Sequence, residues 1–274
     1  MAEGGVVVTG VSTGIGAATL RELVGAGYRV FGTVRRAKDA AAVEAAGAVS
    51  LIMDVTYPPG IARAREAVTR TLGSRPLVGL VNNAGVPAVG PLELIELDDL
   101  RRTFEVNVIG AVAVTQAFLP MLRAARGRVV NISSVSARLA LPFAGPYAAS
   151  KFALEAISDS LRRELATAGV EVIVIQPGSV RTAIWRKIAA LDPKRFSGTI
   201  YERALERMRQ MAARSGERGL PPETVARAIL CALTARRPPT RVLVVSRGGW
   251  KQRLVRLMPD RWLDRMIARR VWPA

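Results

Sequence analysis

The amino-acid sequence predicts an α/β fold in which a doubly wound, parallel, seven-stranded sheet carries helices on both faces. Short runs of Val, Ile and Leu alternate along the chain with longer segments of helical character. Runs without polar alternation are typical of strands that are buried on both faces of a parallel sheet. Regular alternation of strand and helix then favours right-handed crossovers and one doubly wound sheet.

Seven segments have the length and composition of such strands, and they predict the sheet order 3-2-1-4-5-6-7. They cover residues 6–9, 29–33, 49–53, 77–82, 127–133, 170–176 and 241–245. The 274 residues suffice for one large domain, and neither a linker nor a repeat divides them. We therefore expect a single domain over residues 1–274.

A long insertion interrupts the alternation after the sixth strand, at about residues 183–218. Its apolar side chains include Trp185, Ile188, Phe196 and Met208, and a helix over 222–236 follows it. Because ligands bind beyond the carboxyl ends of parallel strands, we expect this insertion to form a substrate lid.

The composition excludes several kinds of catalytic site. The chain has no histidine and a single cysteine, Cys231. A Ser-His-Asp triad, a histidine base, a His-ligated zinc and an internal disulfide are therefore impossible. We expect no metal site, and any acid or base must be Tyr, Lys, Asp or Glu. One cysteine also suits the reducing cytoplasm.

Neither a signal peptide nor a membrane span is expected. Residues 5–9 have the pattern of a buried strand, and Glu3 stands where a signal peptide would be basic. The longest apolar stretch, 106–119, contains Asn107, Gly110 and Gln116. It is also shorter than the roughly 20 residues that a span needs.

A glycine-rich turn follows the first predicted strand and opens a helix, with the sequence Thr9-Gly10-Val11-Ser12-Thr13-Gly14-Ile15-Gly16. Glycines there allow a tight turn, close approach to a pyrophosphate and packing of the helix on the strand. The positive end of the helix then faces the phosphates. The position of the motif therefore predicts a dinucleotide site.

The end of the second strand predicts which dinucleotide binds. Dinucleotide folds that bind NAD have an acidic residue there, whereas this chain reads Thr33-Val34-Arg35-Arg36. A guanidinium can pair bidentately with a 2′-phosphate. We therefore expect NADP(H) to be preferred over NAD(H). The alternative is that Arg35 and Arg36 are solvated charges at the start of the next helix.

Tyr147 and Lys151 are spaced to share one helix face. A neighbouring ammonium favours the phenolate and lowers the pKa of a tyrosine. In a chain without histidine, this pair is the natural proton donor.

Six motifs occur in a fixed order along the chain, and together they resemble the short-chain dehydrogenase/reductase family in its compact, single-domain branch. They are the glycine motif, Asn82-Asn83-Ala84-Gly85, Asn107, Ser134 thirteen residues before Tyr147, Tyr147-xxx-Lys151, and Pro177-Gly178. The resemblance covers about residues 4–182 by motif and the remainder by general layout. Within the family the chain is most similar to 17β-hydroxysteroid and retinol dehydrogenases. The resemblance implies a Rossmann-type fold and an oxidoreductase.

The resemblance also implies catalytic roles. Tyr147 would be the general acid, Lys151 would lower its pKa and bind the nicotinamide ribose, and Ser134 would hold the substrate carbonyl. Asn107 would anchor a water molecule for proton relay. Alternatives remain: Ser133 could replace Ser134, and Asn107 could be a buried amide bonded to backbone.

The cofactor residues implied in this way surround the turn, the ends of the strands and the catalytic pair. Asp54 could instead be a turn residue only, and Ser12 is a second candidate for the phosphate, since Thr13 replaces the basic residue of a common NADP-binding variant. The set is Gly10, Ser12, Thr13, Gly14, Ile15, Gly16, Arg35, Asp54, Val55, Asn83, Ala84, Gly85, Tyr147, Lys151, Pro177, Gly178, Val180 and Thr182.

Apolar residues near the catalytic pair predict a small lipophilic alcohol or carbonyl as substrate, similar to a steroid, a retinoid or a fatty aldehyde. The predicted substrate contacts are Ser134, Leu141, Phe143, Tyr147 and Trp185. The alternative is that the apolar side chains are ordinary core. Two other functions stay open: a 3-oxoacyl reductase whose basic lid attracts an acidic carrier protein, and an NADP-sensing protein without turnover.

The chain has 40 Lys and Arg against 22 Asp and Glu, a formal net charge of +18, and the excess lies mainly after residue 180. At about 248–274 a basic, amphipathic tail with tryptophans is typical of a helix at a membrane surface. Packing of this tail on the sheet or on a second subunit is the alternative. We expect no nucleic-acid binding, because no binding module accompanies the charge. We expect a cytoplasmic homodimer or homotetramer, with peripheral membrane contact through the tail as one option.

Overall fold

Seven parallel strands form one sheet in the computed structural model, which describes residues 4–189, 193–246 and 258–272. The sheet order is β3-β2-β1-β4-β5-β6-β7, which confirms the predicted order. The strands are β1 (Gly5–Val8), β2 (Arg29–Val34), β3 (Val49–Ile52), β4 (Leu77–Asn82), β5 (Arg128–Ile132), β6 (Glu171–Pro177) and β7 (Arg241–Val244).

The first strand shows why its apolar run has no polar alternation. Val6, Val7 and Val8 are all completely buried. Because side chains alternate across a strand, Val6 and Val8 join the core on one face of the sheet and Val7 joins the core on the other. Helices on both faces therefore require apolar residues at every position.

Helices cover both faces of the sheet. The helices are α1 (Gly14–Gly25), α2 (Ala40–Ala45), α3 (Pro58–Leu72), α4 (Leu97–Phe104), α5 (Gly110–Ala124), α6 (Gly145–Glu164), α7 (Ala183–Ala189), α8 (Glu202–Arg218), α9 (Pro222–Thr234) and α10 (Asp260–Val271). Helix α1 packs beside α9 on one face, with Leu20, Leu23 and Ile229 in the core. Helices α3 and α5 bury Val68 and Phe118 on the other face.

A continuous helical stretch runs from Leu97 to Ala124 and includes a π-helical segment, Glu105–Ile109, between α4 and α5. By length and composition alone this stretch is long and apolar enough to cross a membrane. This helical stretch is longer than the apolar run of residues 106–119, which was the longest one found in the sequence. Val114, Phe118 and Leu122 are completely buried in the core, so here it serves as a core helix of the sheet.

The order reversal beside β1 positions the site. The chain runs from β1 outward to β3 and then returns to β4 on the other side of β1. A crevice opens at such a reversal, beyond the carboxyl ends of the strands. The loops after β1, β4, β5 and β6 all meet at this edge.

A third, smaller core lies beyond the sheet and joins segments that are distant in sequence. Its buried residues are Phe143, Phe196, Ala204, Leu205 and Val271. Helix α10 thereby packs against α8, within the part of the predicted tail that the structure describes. The part of that tail at 248–257 lies outside the described residues.

Candidate active site

A cavity of about 890 Å³ lies at the carboxyl edge of the sheet. It brings together nearly all of the predicted site residues: Gly10, Ser12, Thr13, Gly14, Ile15, Arg35, Asp54, Val55, Asn83, Ala84, Gly85, Ser134, Leu141, Tyr147, Lys151, Pro177, Gly178, Val180, Thr182 and Trp185. Gly16, Asn107 and Phe143 do not line it.

The glycine-rich turn needs glycine at two positions because of its backbone. Gly10 has φ +70° and Gly14 has φ +61°, which L side chains rarely adopt. A Cβ on Gly14 would lie 3.1 Å from Cγ2 of Thr182, in the loop after β6. A side chain at Gly14 would therefore require a small shift of Thr182, in addition to the strained backbone.

The side chain of Asn83 fixes the shape of this turn by hydrogen bonds. Its Nδ2 donates hydrogen bonds to the carbonyl oxygens of Thr9 and Gly10, at 2.8 and 3.0 Å. A Cβ on Gly16 would collide with Nδ2 of Asn83 and with the Gly10 carbonyl oxygen. Gly16 thus belongs to the support behind the turn, which explains why it does not line the cavity.

The first turn of α1 is left open to an anion. Thr13 precedes the helix in extended conformation, its side chain makes no capping hydrogen bond, and no acidic residue lies in the first turn. Unsatisfied N–H groups and the positive helix end then face the cavity. These residues fit the pyrophosphate of a dinucleotide.

Two neighbouring arginines at the end of β2 have different surroundings. Arg36 forms an ion pair with Asp39, with Nε 2.9 Å from Oδ2, and this pairing raises the pKa of Arg36. Arg35 is exposed at the cavity edge and makes no ion pair with any residue that the structure describes. Arg35 is thus available for a phosphate.

The sequence allowed two roles for Asp54, a contact with the cofactor or a turn residue only. Its Oδ1 accepts hydrogen bonds from the Thr56 amide at 2.9 Å and from the Thr56 hydroxyl at 2.8 Å. It is therefore a turn residue, and it also lines the cavity beside Val55.

Tyr147 and Lys151 lie one turn apart on α6, as their spacing predicts. Nζ of Lys151 is 5.7 Å from the centre of the Tyr147 ring and donates a 2.8 Å hydrogen bond to the Ile132 carbonyl. The ammonium is thus held between the phenol and the end of β5.

The electrostatics of this pair differ from the expected lowering of the tyrosine pKa. Burial raises the pKa of the Tyr147 phenol, and a hydrogen bond with Ser134 opposes this only in part. Burial also lowers the pKa of Lys151 to about 8, while the charge of Glu155 acts in the opposite direction. Without cofactor, the phenol therefore keeps its proton.

Both serines after β5 reach the cavity. Ser134 precedes a short 3₁₀ turn, and its Oγ accepts a 3.1 Å hydrogen bond from the Ser136 amide. The Ser133 hydroxyl is buried and has no hydrogen-bond partner within the described chain. An orphaned buried hydroxyl in the lining is a suitable contact for a polar ligand group, so both serines remain candidates.

Asn107 sits in the π-helical segment with its side chain fully bonded to protein. Its Oδ1 accepts from the Val86 amide at 2.8 Å, and its Nδ2 donates to the Val86 carbonyl and to Oγ of Ser150, both at 3.0 Å. A Cβ on Gly85 would lie 3.3 Å from this Oδ1 and 3.7 Å from Nζ of Lys151. Asn107 is therefore a buried amide bonded to backbone, and it stands beside Lys151.

Phe143 lies behind the cavity wall. Its ring meets Tyr201 edge-on, with centroids 6.0 Å apart, and Trp272 at 5.7 Å. Its backbone has φ +67°, so the loop reverses there and leaves Leu141 and Pro142 at the cavity. The structure thus places Phe143 where it supports the wall and does not bring it to a substrate.

A polar network beside Tyr147 and Lys151 was missed by the sequence analysis. Gln176 donates to Glu155 at 2.7 Å and accepts from Nε of Arg138 at 3.1 Å. The other Glu155 oxygen accepts from Nε of Arg241 at 2.8 Å. The one local signal is that Glu155 follows Lys151 by four residues on the same helix.

Helix α10 also contributes to the cavity, through Met266, Ile267, Arg270 and Val271. The amphipathic pattern of the tail indicated a buried face but not the surface that it covers.

No cluster of three metal-ligating side chains occurs in the described ranges of the chain.

Comparisons with known proteins identify the family. The family model of short chain dehydrogenases matches residues 5–192. An NADPH-dependent 3-dehydrocapnine reductase from Ornithobacterium rhinotracheale is 37% identical over 269 residues, which cover 95% of each chain. Human retinol dehydrogenase 5 is 35% identical over 91% of this chain and 82% of its own.

Two solved structures share the fold over nearly the full length. A short chain dehydrogenase from Burkholderia cenocepacia in complex with NADP has a TM-score of 0.76 and 25% identity, over 97% of this chain and 98% of that one. A short chain dehydrogenase/reductase from Burkholderia phymatum in complex with NAD has a TM-score of 0.79 and 25% identity, over 100% and 99%. The chain described here is thus a member of the short-chain dehydrogenase family of oxidoreductases.

Proposed function

We propose that the protein is an NADP(H)-dependent oxidoreductase that interconverts a lipophilic alcohol and its carbonyl compound. The observation that carries this proposal is the shared cavity, in which Tyr147, Lys151 and Ser134 lie with the glycine-rich turn and Arg35. A sequence relative that is named NADPH-dependent, and a solved relative in complex with NADP, support the choice of cofactor. The solved relative in complex with NAD makes that choice one to be measured.

The residues that would hold the cofactor divide along the cavity. The turn from Gly10 to Gly14 and the start of α1 would bind the pyrophosphate, with Thr182 opposite. Arg35 would pair with the 2′-phosphate, and Ser12 would be a second ligand. Asp54, Val55 and the segment 83–85 would enclose the adenosine. Pro177, Gly178 and Val180 would orient the nicotinamide, which when bound supplies or accepts a hydride.

During reduction, the Tyr147 hydroxyl would donate its proton to the carbonyl oxygen as the carbonyl carbon gains the hydride. Burial raises the pKa of this phenol, so the proton to be donated is present on it. Ser134 would hold the same oxygen by a hydrogen bond. Afterwards the phenolate would regain a proton from solvent, next to the Lys151 ammonium.

Asn107 would act on this relay through its neighbours. Its side chain is occupied by Val86 and Ser150, so its role is to hold the segment after β4 beside Lys151. A π-helical turn disturbs the regular backbone hydrogen bonds of a helix and is frequent at functional sites. A water molecule bound at this backbone would complete the path for the proton.

The proposed substrate is lipophilic because most of the remaining cavity wall is apolar. Leu141 and Trp185 line it, with Ile188, Met208, Met211, Met266 and Ile267. Trp185 is fixed in the wall by a 2.8 Å hydrogen bond from its Nε1 to the Val180 carbonyl. We propose that α7 and α8, in the predicted lid at 183–218, close over the substrate. A relative named as a retinol dehydrogenase agrees with such a substrate.

The proposal is tested by titrating the protein with NADPH and NADH in parallel and following fluorescence. Tighter binding of NADPH supports the proposed cofactor, and preference for NADH contradicts it. A screen of steroid, retinoid and long-chain carbonyls follows with the preferred cofactor. Equal turnover of small polar ketones and of these lipophilic compounds would contradict the substrate class.

We also propose that the protein is cytoplasmic and contacts membrane surfaces through α10. Trp262 on this helix is 67% exposed, and Arg265 and Arg269 are exposed on the same helix face. The opposite face carries Ile267 and Val271, which are packed in the third core. A tryptophan among arginines on an outer face is typical of helices at anionic lipid surfaces.

We also propose that the protein assembles as a homodimer or a homotetramer. Analytical ultracentrifugation tests this proposal.

A further inference from the structure

We propose that the substrate carries an acidic group near its carbonyl, and that Arg138 and Arg270 bind this group. The inference rests on the proposed function, since it names the class of lipophilic carbonyl compound that the cavity accepts. The shared chemistry is an oxyanion on an apolar chain, such as a carboxylate, a sulfonate or a phosphate.

Arg138 lies at the cavity close to the catalytic serine. It follows the 3₁₀ turn Val135–Ala137, which Ser134 caps, and it lines the cavity with Ser134 and Tyr147. Its Nε donates a 3.1 Å hydrogen bond to Oε1 of Gln176. This bond orients the guanidinium and leaves its two terminal nitrogens without a hydrogen-bond partner among the described residues.

The charge of Arg138 is not neutralised by the network behind it. Gln176 is a neutral amide, and its orientation is fixed because its Nε2 donates to Glu155. Arg241 pairs with Glu155 through Nε at 2.8 Å and with Asp159 through Nη2 at 2.9 Å. Both nearby carboxylates are therefore engaged by Arg241, and Arg138 has no ion pair within the described chain.

Arg270 brings a second cation to the same cavity from α10. The positions three and four residues before it are Ile267 and Met266, so no carboxylate pairs with it along the helix. The segment that holds Arg138 and the end of α10 meet where Phe143 contacts Trp272, with ring centroids 5.7 Å apart. Both arginines therefore lie on segments that contact each other beside the cavity.

The acidic residues of the cavity cannot serve as counter-ions there. Of the described residues that line it, Asp54 is the single acidic one, and it follows β3, where the adenosine is proposed to bind. Arg138 and Arg270 are both exposed where they line the cavity, so an incoming anion can reach their guanidinium groups. A guanidinium binds planar or tetrahedral oxyanions through two parallel hydrogen bonds.

Binding of simple amphiphiles tests the inference without turnover. Decanoate, decane-1-sulfonate and decyl phosphate are compared with 1-decanol by calorimetry, on the full chain with NADPH present. We expect at least one anion to bind about 10- to 100-fold more tightly than the alcohol, the usual range for a charged hydrogen bond. The three anions show which oxyanion fits. Equal or tighter binding of 1-decanol overturns the inference.

Variants assign the effect to the arginines. Arg138→Gln and Arg270→Gln should each reduce the preference for the anion, and Arg138→Lys should keep part of it. Arg163→Gln is the matched control, since Arg163 is exposed on α6 and does not line the cavity. Thermal unfolding checks that each variant is folded. An unchanged preference in both Arg138→Gln and Arg270→Gln overturns the assignment.

Turnover separates this inference from the proposed function. With NADPH, kcat/KM is compared for 4-oxodecanoic acid and its methyl ester. If both are reduced at equal rates, the proposed function stands and the anion site is wrong. If neither these nor any other carbonyl is reduced, the proposed function fails, while the calorimetric comparison still decides on the anion site.

Discussion

Arg35 is the residue on which the proposed cofactor preference depends, and its neighbour is a built-in control. We expect Arg35→Gln to weaken NADPH binding about 10- to 100-fold and to leave NADH binding nearly unchanged, because one charged hydrogen-bonding partner of the 2′-phosphate is lost. Arg36→Gln should have little effect on either, since Arg36 is paired with Asp39. Parallel fluorescence titrations measure all four affinities. Equal losses of NADPH binding in the two variants would contradict the assignment.

Tyr147 is the proposed acid, and removal of its hydroxyl separates chemistry from binding. We expect Tyr147→Phe to lower kcat about 10²- to 10⁴-fold, the usual contribution of a positioned acid. NADPH affinity should change little. Steady-state kinetics and a cofactor titration measure the two effects. A variant that retains full turnover would instead show that the phenol is not the acid, and a protein that only senses NADP would show no turnover to lose.

The lowered pKa of Lys151 predicts how the activity depends on pH. Its pKa is lowered to about 8, so the ammonium is present below pH 8 and is lost as the pH rises through 8. The phenol of Tyr147 has a raised pKa and stays protonated over this range. We expect kcat/KM for NADPH, which reports on the free enzyme, to fall above about pH 8.

Glu155→Gln provides the check on this assignment. The charge of Glu155 raises the pKa of Lys151, so its removal should move the fall in kcat/KM to lower pH. A fall centred well above pH 10 in the unmodified protein would assign the titration to the phenol instead.

The residues that could be predicted from sequence are those whose requirement is local. Gly10 and Gly14 need a positive φ in a short turn, and Tyr147 and Lys151 need one helical turn between them. Glu155 pairs with Arg241 across 86 positions. No local pattern in the sequence indicates a contact over this separation. The network of Gln176, Glu155 and Arg241 beside Lys151 could therefore be found only in the structure.

At the scale of elements, the contact of Phe143 with Tyr201 and Trp272 joins the loop before α6 to the region of α8 and α10. We expect Phe143→Ala to lower the free energy of unfolding, by no more than the loss of about 3–5 kcal/mol that is usual for a buried phenylalanine. KM for a lipophilic substrate should rise because α10 loses its contact, while NADPH affinity should stay the same. Denaturant unfolding and kinetics measure both. A change in NADPH affinity with unchanged KM would contradict this role.

The strands could be predicted almost completely, because burial on both faces leaves a clear apolar run at each of them. Predicted and observed bounds differ by few residues, as at β5, expected over 127–133 and found at Arg128–Ile132. The irregular elements could not be predicted. The π-helical segment Glu105–Ile109 has no sequence pattern that separates it from an α-helix, and its Asn107 bonds to the segment after β4, which is distant in sequence.

At the scale of the whole molecule, the basic charge of +18 and the outer face of α10 together predict binding to anionic bilayers. We expect the protein to co-sediment with vesicles of phosphatidylcholine and phosphatidylserine and to remain in solution with phosphatidylcholine alone. Trp262→Ser should weaken the binding, because it removes the exposed indole.

Tyr57→Ser is the matched control, since Tyr57 is a comparably exposed aromatic residue just before α3. Equal sedimentation of both variants and of the unmodified protein would count against contact through α10. The sequence pattern indicated that the tail is amphipathic. It could not show that one face forms a cavity wall, because that depends on how α10 folds back over the loop after β5.

The π-helical turn also bears on how this chain could change by insertion or deletion. Such a turn is an α-helix that holds one residue too many. Deleting Ile109, which is 52% exposed, would let a regular helix run from α4 into α5 and would change the direction of the Asn107 side chain, which lies within the turn. The Val86 amide and carbonyl would then lose their partners. A shorter and more regular helix would be gained, and the segment beside Lys151 would lose the side chain that holds it.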